Sequence, residues 1–123
     1  MLEQIEQDSA KGDTVHWGIC LKGSDEVVGT CGFYRGFAGN AGEIGYILRA
    51  GYRGRGIMTS ALRPVIAFGL REMALDVIDA YTDPTNAASI GVLKRLGFHQ
   101  VPAERAELKF SLSRFSGELS SSL

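Results

Sequence analysis

The stretch of sequence that decides the fold of this chain is Gly45-Tyr46-Ile47-Leu48-Arg49-Ala50-Gly51-Tyr52-Arg53-Gly54-Arg55-Gly56-Ile57-Met58-Thr59. Its first residues alternate as those of a β-strand do, and from Gly56 onward apolar residues recur at helical spacing. A strand therefore runs into a glycine-rich turn, and the turn opens a helix. The first turn of a helix has free backbone N–H groups and a positive dipole end, and glycines let that backbone approach an anion closely.

Three arginines, Arg49, Arg53 and Arg55, add positive charge around this turn. Turn and charge together predict an anion site where the strand becomes a helix. An ordinary tight turn with solvated arginines explains the same residues, and the turn alone does not decide between the two. Two familiar phosphate motifs do not fit. No Gly-Lys-Ser/Thr follows, as in a P-loop, and the third glycine and acidic ribose partner of the dinucleotide fingerprint are missing.

The composition indicates one domain, expected over residues 1–115, with a serine-rich tail over residues 116–123. Hydrophobic residues make up 45% of the chain and charged residues 22%, which is typical of a globular protein. The net charge of -1 argues against broad attraction to nucleic acid or to an anionic membrane. No apolar run could span a bilayer, and the acidic start is not a secretory signal, so we expect a cytoplasmic protein. Cys20 and Cys31 lack metal-ligand spacing, and we expect reduced, packed thiols and no metal.

Alternating apolar and polar residues predict three antiparallel strands before the turn and two strands after it, at 15–21, 27–37, 43–48, 77–81 and 105–114. Helical patterns run from Gly56 to Met73 and from Asn86, a plausible N-cap, to Leu96. A weaker helical pattern covers residues 2–10. Because a helix links the strands at 43–48 and 77–81, these strands should pair in parallel. The prediction is an α/β fold with a mixed, mostly antiparallel sheet and flanking helices.

Two motifs in this order resemble the GNAT superfamily of N-acetyltransferases. The turn is similar to its acyl-CoA signature, Gln/Arg-x-x-Gly-x-Gly/Ala, with Arg53 as the leading basic residue and Gly56 at the glycine position. Met58 departs from that pattern, but Gly-Ile-Met-Thr resembles the branch that includes the ribosomal-protein N-terminal (Rim-type) acetyltransferases. Asn-Ala-Ala-Ser at residues 86–89 and Leu-Gly-Phe at residues 96–98 resemble the Asn-x-x-Ser…Leu-Gly-Phe helix of the same branch.

The resemblance implies an acetyl-CoA site where the parallel strands splay apart. Backbone groups of Ile47, Leu48 and Arg49 would hydrogen-bond the pantetheine amides. Asn86 would contact the pantetheine arm, although its role as a plain N-cap explains it too. The pyrophosphate would be held by the turn and the start of the helix, which comprise Arg53, Gly54, Arg55, Gly56, Ile57, Met58 and Thr59.

The implied reaction is direct attack of a neutral amine on a thioester. Glu43 is the candidate general base, acting through water, and the alternative is a solvent-facing strand carboxylate. The helix that starts at Asn86 carries no tyrosine to assist the departing thiolate. Ser89 is the candidate for that role through a hydrogen bond, and the alternative is an ordinary first-turn residue. A backbone N–H near Leu48 would hold the oxyanion.

The family pattern also has more at each end than this chain offers. A strand and a helix that usually precede the segment at residues 2–10 are absent, which predicts an exposed sheet edge at Val15–Leu21. A fragment, a homodimer that covers this edge, or a wide acceptor site would each follow. Between Phe98 and Arg105 little room is expected for the family's longer hairpin. Two functions stay open: an N-acetyltransferase for a small or peptide primary amine, such as a protein N-terminus, or a non-catalytic acyl-CoA-binding domain.

Overall fold

Seven strands, two α-helices and two short 3-10 helices (Ala38–Asn40 and Ala50–Tyr52) form the regular structure of the described residues, which are 2–8, 15–34 and 38–114 of the computed structural model. The strands form one sheet in the order first, second, third, fourth, fifth, seventh, sixth. In chain order the elements are β1 (Leu2–Asp8), β2 (Val15–Leu21), β3 (Val27–Tyr34), β4 (Ala41–Leu48), α1 (Ile57–Arg71), β5 (Val77–Thr82), α2 (Ala87–Arg95), β6 (His99–Val101) and β7 (Leu108–Ser113).

Neighbouring strands run antiparallel except for β4 and β5, which α1 connects. This arrangement confirms the predicted mixed, mostly antiparallel sheet with one parallel pair. The parallel ladder is short, because only Ala41–Glu43 lies beside Val77–Asp79. Beyond it the two strands part, so their carboxyl ends bound an open wedge.

Both helices pack on one face of the sheet, where they cover its apolar side chains. Burial of a large apolar side chain stabilises the fold by about 1.5–3 kcal/mol, so this layer fixes both helices over the centre of the sheet. As a result, the N-terminus of α1 and the start of α2 lie beside the wedge. The largest fully buried side chains of the layer are Phe33, Phe110, Ile19, Leu62, Leu75, Ile78, Leu93, Val28 and Val65.

The N-terminal segment corrects one prediction. The helix predicted over residues 2–10 is wrong for residues 2–8, since Leu2–Asp8 is strand β1 and pairs antiparallel with β2. Leu2 and Ile5 are spaced as on a helix, but a short helix is marginal by itself, whereas the edge of β2 offers a complete ladder. Val15–Leu21 is therefore not an exposed edge, and the homodimer predicted through that edge loses its basis. Residues 9–10 and the predicted tail lie outside the described residues.

The segment after α2 contains a strand that the sequence pattern did not predict. The short strand β6 lies between Phe98 and Arg105 and pairs with β7 in a short hairpin. Three residues are too few to show a period, which is why the sequence pattern misses this strand. The third strand is described as far as Tyr34, and residues 35–37 of its predicted range lie outside the described residues.

Chemical labelling of Cys31 can test whether its thiol is buried in the core. Cys31 is fully buried without a disulfide, and burial raises its pKa to about 12. In a Cys20→Ala background, a disulfide reagent such as DTNB should leave native Cys31 unmodified at about pH 8 and label it on unfolding. The pKa of a cysteine thiol in the unfolded chain is about 8.5. The stability that the buried neutral thiol contributes is therefore fully present below that pH. Above it, the free energy of unfolding should fall by up to about 1.4 kcal/mol per pH unit, as urea titrations can measure. Rapid labelling of the native protein would contradict this placement.

Candidate active site

A groove of about 920 Å³ opens where β4 and β5 part. One wall is β4 from Ile44 to Leu48, and the opposite wall is formed by the end of β5 and the start of α2. The glycine-rich turn and the first turn of α1 close one end. Its size is typical of a site for a small ligand.

Ten of the residues predicted to bind the ligand line this groove, whereas Arg49, Arg55 and the predicted base Glu43 do not. Sequence segments that are far apart therefore meet in one place. The ten are Ile47, Leu48, Arg53, Gly54, Gly56, Ile57, Met58, Thr59, Asn86 and Ser89.

The turn before α1 is held in a conformation that glycine favours. Gly54 and Gly56 have φ angles of 74° and 75°, and a Cβ on either would meet nothing within 4 Å. Gly56 is the N-cap of α1, and the first backbone bond of the helix runs from the Ser60 N–H to the Gly56 carbonyl at 3.1 Å. The N–H groups of residues 57–59 thus have no acceptor within the helix and lie at the groove wall.

A buried hydroxyl lies in the same turn. The Oγ1 atom of Thr59 is inaccessible to solvent and has no hydrogen-bond partner among the described residues. An unsatisfied buried polar atom costs free energy unless a ligand or water bonds to it. Thr59 is a lining residue of the groove, but its hydroxyl oxygen is not exposed there in this structure.

Positive charge in the groove comes from Arg53, Arg63 and Arg95. The last two were not among the predicted residues. Arg63 lies one helical turn after Thr59, so the helical spacing from the predicted site could have indicated it. Arg95 lies three residues after Val92, another residue of the groove wall.

The other two predicted arginines have partners elsewhere. The side chain of Arg49 pairs with Glu26, and its N–H donates to the carbonyl of Val28 at 2.8 Å. This N–H therefore cannot serve a ligand. The guanidinium of Arg55 lies 5.4 Å from the ring centroid of Tyr52 and outside the groove lining.

Asn86 caps α2 at the groove wall. Its Oδ1 accepts a hydrogen bond from the Ser89 N–H at 3.0 Å, so the N-cap interpretation of Asn86 is confirmed. The cap fixes the first turn of α2 and with it the position of the Ser89 side chain.

A tyrosine from the opposite wall reaches Ser89. The hydroxyl of Tyr46, on β4, lies 2.7 Å from Ser89 Oγ. Burial raises the pKa of Tyr46 above its ordinary value, and the Ser89 hydrogen bond opposes part of that shift. The prediction sought a tyrosine on the helix only. Alternation along β4, which puts Tyr46 on the same face as Ile44, could have found this one.

Glu43 lies on the other face of β4, away from the helices. Its Oε1 is 3.4 Å from Arg105 Nη2, and the Arg105 guanidinium carbon is 3.4 Å from the ring centroid of Tyr81. Arg105 also approaches Glu107 Oε1 at 3.6 Å. Tyr81 and Glu107 line the groove, so Glu43 is connected to the groove mouth through Arg105.

The described residues offer neither a metal cluster nor a membrane span. No group of three His, Cys, Asp or Glu side chains among residues 2–8, 15–34 and 38–114 could hold a metal ion. No helix in the described part of the chain is long and apolar enough to cross a membrane.

Known sequences are similar to most of this chain. A family model described as the Acetyltransferase (GNAT) domain matches residues 1–99. YjcK, a probable N-acetyltransferase of Bacillus subtilis, is 32% identical over 111 residues, which is 89% of this chain and 59% of that protein. The uncharacterized N-acetyltransferase p20 of Bacillus licheniformis is 35% identical over 101 residues, which is 81% of this chain and 57% of that protein. The chain thus spans less than two thirds of the length of these relatives.

Solved structures share the fold. Mycobacterium smegmatis RimJ in complex with CoA-disulfide aligns with a TM-score of 0.75 and 27% identity, over 88% of this chain and 56% of that one. A ribosomal-protein-S5-alanine acetyltransferase from Vibrio fischeri aligns with a TM-score of 0.74 and 24% identity, over 84% and 63%. Because the family model covers most of its residues, this chain belongs to the GNAT acetyltransferase domain family.

Proposed function

We propose that this domain transfers an acetyl group from acetyl-CoA to a primary amine, by direct attack of the amine on the thioester. Family membership supports the reaction class. The observation that carries the proposal is the groove itself, which is closed at one end by the N-terminus of α1 and lined by three arginines.

The residues present fit a diphosphate at that end. The N–H groups of residues 57–59 can donate to its oxygens. Arg53, Arg63 and Arg95 add positive charge to the groove lining, against the carboxylates of Asp83 and Glu107. Gly54 and Gly56 line the groove beside these donors, and a Cβ on either would stand in open space.

The free edge of β4 fits the amides of pantetheine. Since the Arg49 N–H points to β3, the alternation of an antiparallel ladder directs the groups of Ile47 to β3 as well. The backbone groups of Tyr46 and Leu48 then face the groove, where β5 no longer pairs with β4. We therefore assign the pantetheine contacts to the backbone of Tyr46 and the carbonyl of Leu48 in place of Ile47 and Arg49, which leaves the Leu48 N–H for the acetyl oxygen.

Each step of the transfer has a residue at hand. Acetyl-CoA, when bound, supplies the activated acetyl thioester. The Leu48 N–H can stabilise negative charge on the acetyl oxygen. The Ser89 hydroxyl can hydrogen-bond the sulfur as the carbon–sulfur bond breaks. Glu43, through water, can remove the proton that the attacking nitrogen loses.

The acceptor that we propose is a protein N-terminal α-amine, as in the Rim-type branch. An α-amino group has a pKa of about 7.7–8.0, against about 10.4 for lysine, so a larger fraction is neutral and ready to attack at neutral pH. Such an acceptor requires little of a base that acts through water. The V. fischeri relative, whose name specifies a ribosomal-protein alanine as its acceptor, supports this choice.

Glu43→Gln tests the assignment of the base. We expect kcat/KM for an N-terminal peptide to fall by about 100-fold near neutral pH, since general base catalysis contributes about 10²–10⁴-fold. The loss should shrink at alkaline pH, where the amine is already neutral. Steady-state assays of CoA release across pH provide the measurement.

Glu26→Gln is the matched control, because it removes a carboxylate that pairs with Arg49 outside the groove. An unchanged rate in Glu43→Gln on a working acceptor would remove Glu43 from the mechanism. Tight binding of acetyl-CoA without transfer to any amine in a panel would instead support the non-catalytic alternative.

A further inference from the structure

The Tyr46–Ser89 pair joins the two walls of the groove beyond the last paired residues of β4 and β5. Tyr46 comes from β4 and Ser89 from the first turn of α2, and their oxygens are 2.7 Å apart. Each hydroxyl has one proton to donate, and the bond between them uses one of the two. The other proton is free to point at a ligand, since both residues line the groove.

The surroundings favour one direction for this bond. Either hydroxyl of the pair could be the donor. We take Tyr46 as the donor and the Ser89 oxygen as the acceptor, because a phenol is a stronger hydrogen-bond donor than an aliphatic alcohol. The Asn86 cap holds the backbone of Ser89 in place, which leaves rotation of its hydroxyl as the remaining freedom. A bond from Tyr46 removes that freedom and leaves the Ser89 proton directed away from Tyr46.

We propose that Tyr46 is a positioning residue that aims the Ser89 proton at the leaving sulfur. This inference rests on the proposed function. During transfer the new carbon–nitrogen bond forms, the carbon–sulfur bond breaks, and its electron pair moves to sulfur. The proton lost by the amine nitrogen leaves through water toward Glu43, and a proton from water completes the thiol. Ser89 and Tyr46 keep their own protons, so their contribution is hydrogen bonding to developing negative charge.

The pair is suited to that contribution across the working pH range. Because burial raises the pKa of Tyr46 above its ordinary value, its hydroxyl stays protonated at the pH where an N-terminal α-amine becomes neutral. A hydrogen bond to a charged group is worth more than one to a neutral group, and it strengthens only as the sulfur gains charge.

Binding of CoA and desulfo-CoA tests the proposal without turnover. At about pH 9.5, above the pKa of about 8.5 of an alkyl thiol, calorimetry should show that the wild type prefers the CoA thiolate to desulfo-CoA by about tenfold. Tyr46→Phe and Ser89→Ala should each lower that preference toward one and leave the affinity for desulfo-CoA unchanged. The double variant should match Ser89→Ala alone, because Tyr46 acts through Ser89.

Tyr34→Phe is the matched control, since Tyr34 is a partly buried tyrosine on the neighbouring strand and outside the groove. It should keep the full preference. In turnover, Tyr46→Phe should lower kcat by about tenfold with little change in the KM for acetyl-CoA, the size expected for one charge-assisted hydrogen bond.

Three outcomes would overturn the proposal: full preference in Tyr46→Phe, a larger loss in Tyr46→Phe than in Ser89→Ala, or losses that add in the double variant. If Tyr46→Phe does not fold, ultraviolet titration of CoA bound to the wild type decides, because the bound thiol should ionise at lower pH than free CoA. Failure of CoA to bind at all would count against the proposed function, whereas binding without any preference would count against this inference alone.

Discussion

Gly56→Glu should abolish measurable binding of acetyl-CoA and CoA. Gly56 is the N-cap of α1 with a φ of 75°, and its missing side chain leaves open space at the proposed diphosphate site. Glutamate would fill that space with a negative charge, and the left-handed backbone would cost about 1–2 kcal/mol for any residue with a Cβ. We expect the dissociation constant from calorimetry to rise by at least about 100-fold, since the lost anion contacts are charge-assisted.

Two variants separate the effect of the charge and volume of the glutamate at the binding site from a loss of binding through misfolding. Gly51→Glu introduces the same side chain nearby, outside the groove lining and at a position with open space and no positive φ. It should bind CoA nearly as the wild type does. Gly56→Ala should lose stability through the same backbone strain, but it should weaken CoA binding less than Gly56→Glu does. Wild-type affinity in a folded Gly56→Glu protein would place the diphosphate elsewhere.

Gly32→Ala should destabilise the sheet strongly. Gly32 lies opposite His16 in the β2–β3 ladder, and a Cβ there would stand 2.3 Å from the Val15 carbonyl oxygen and 3.0 Å from the His16 Cα. Backbone atoms in the ladder cannot yield without breaking hydrogen bonds. We expect the free energy of unfolding to fall by roughly 3 kcal/mol, with a Tm lower by roughly 10 °C.

Gly18→Ala is the control on the neighbouring strand. Its Cβ would meet only the side chain of Val27, at 3.8 Å, which is an ordinary contact. The change in stability should stay within about 1 kcal/mol, as alanine and glycine differ little in strand preference. Equal free energies of unfolding in urea titrations, or equal Tm values in thermal melts, for the two variants would contradict the close packing at Gly32.

The local part of the fold could be predicted because the sequence changes period sharply at Gly56. Two motifs in a fixed order in the sequence were enough to predict that Gly56, Asn86 and Ser89 lie in one groove. Strand β1 was not, because two apolar residues fit either period and the decision lies in the edge of β2, a tertiary feature.

The partners of side chains were also beyond the sequence. Tyr46 reads as a core residue of a strand, and only the wedge geometry brings its hydroxyl to Ser89. The prediction for Glu43 likewise lacked Arg105, because the hairpin that delivers this arginine includes β6, a strand too short to show a pattern.

The short parallel ladder has a mechanical consequence. With only three residues of each strand paired, the β4–β5 junction divides the sheet into a four-stranded and a three-stranded half. A ligand that hydrogen-bonds to β4 on one side and contacts β5 and α2 on the other would link the two strands where they make no hydrogen bonds with each other. At 100 times its dissociation constant such a ligand stabilises the fold by about 2.7 kcal/mol. The groove that we propose as the active site is thus also the junction between the two halves of the sheet. A ligand bound in it would hold those two halves together.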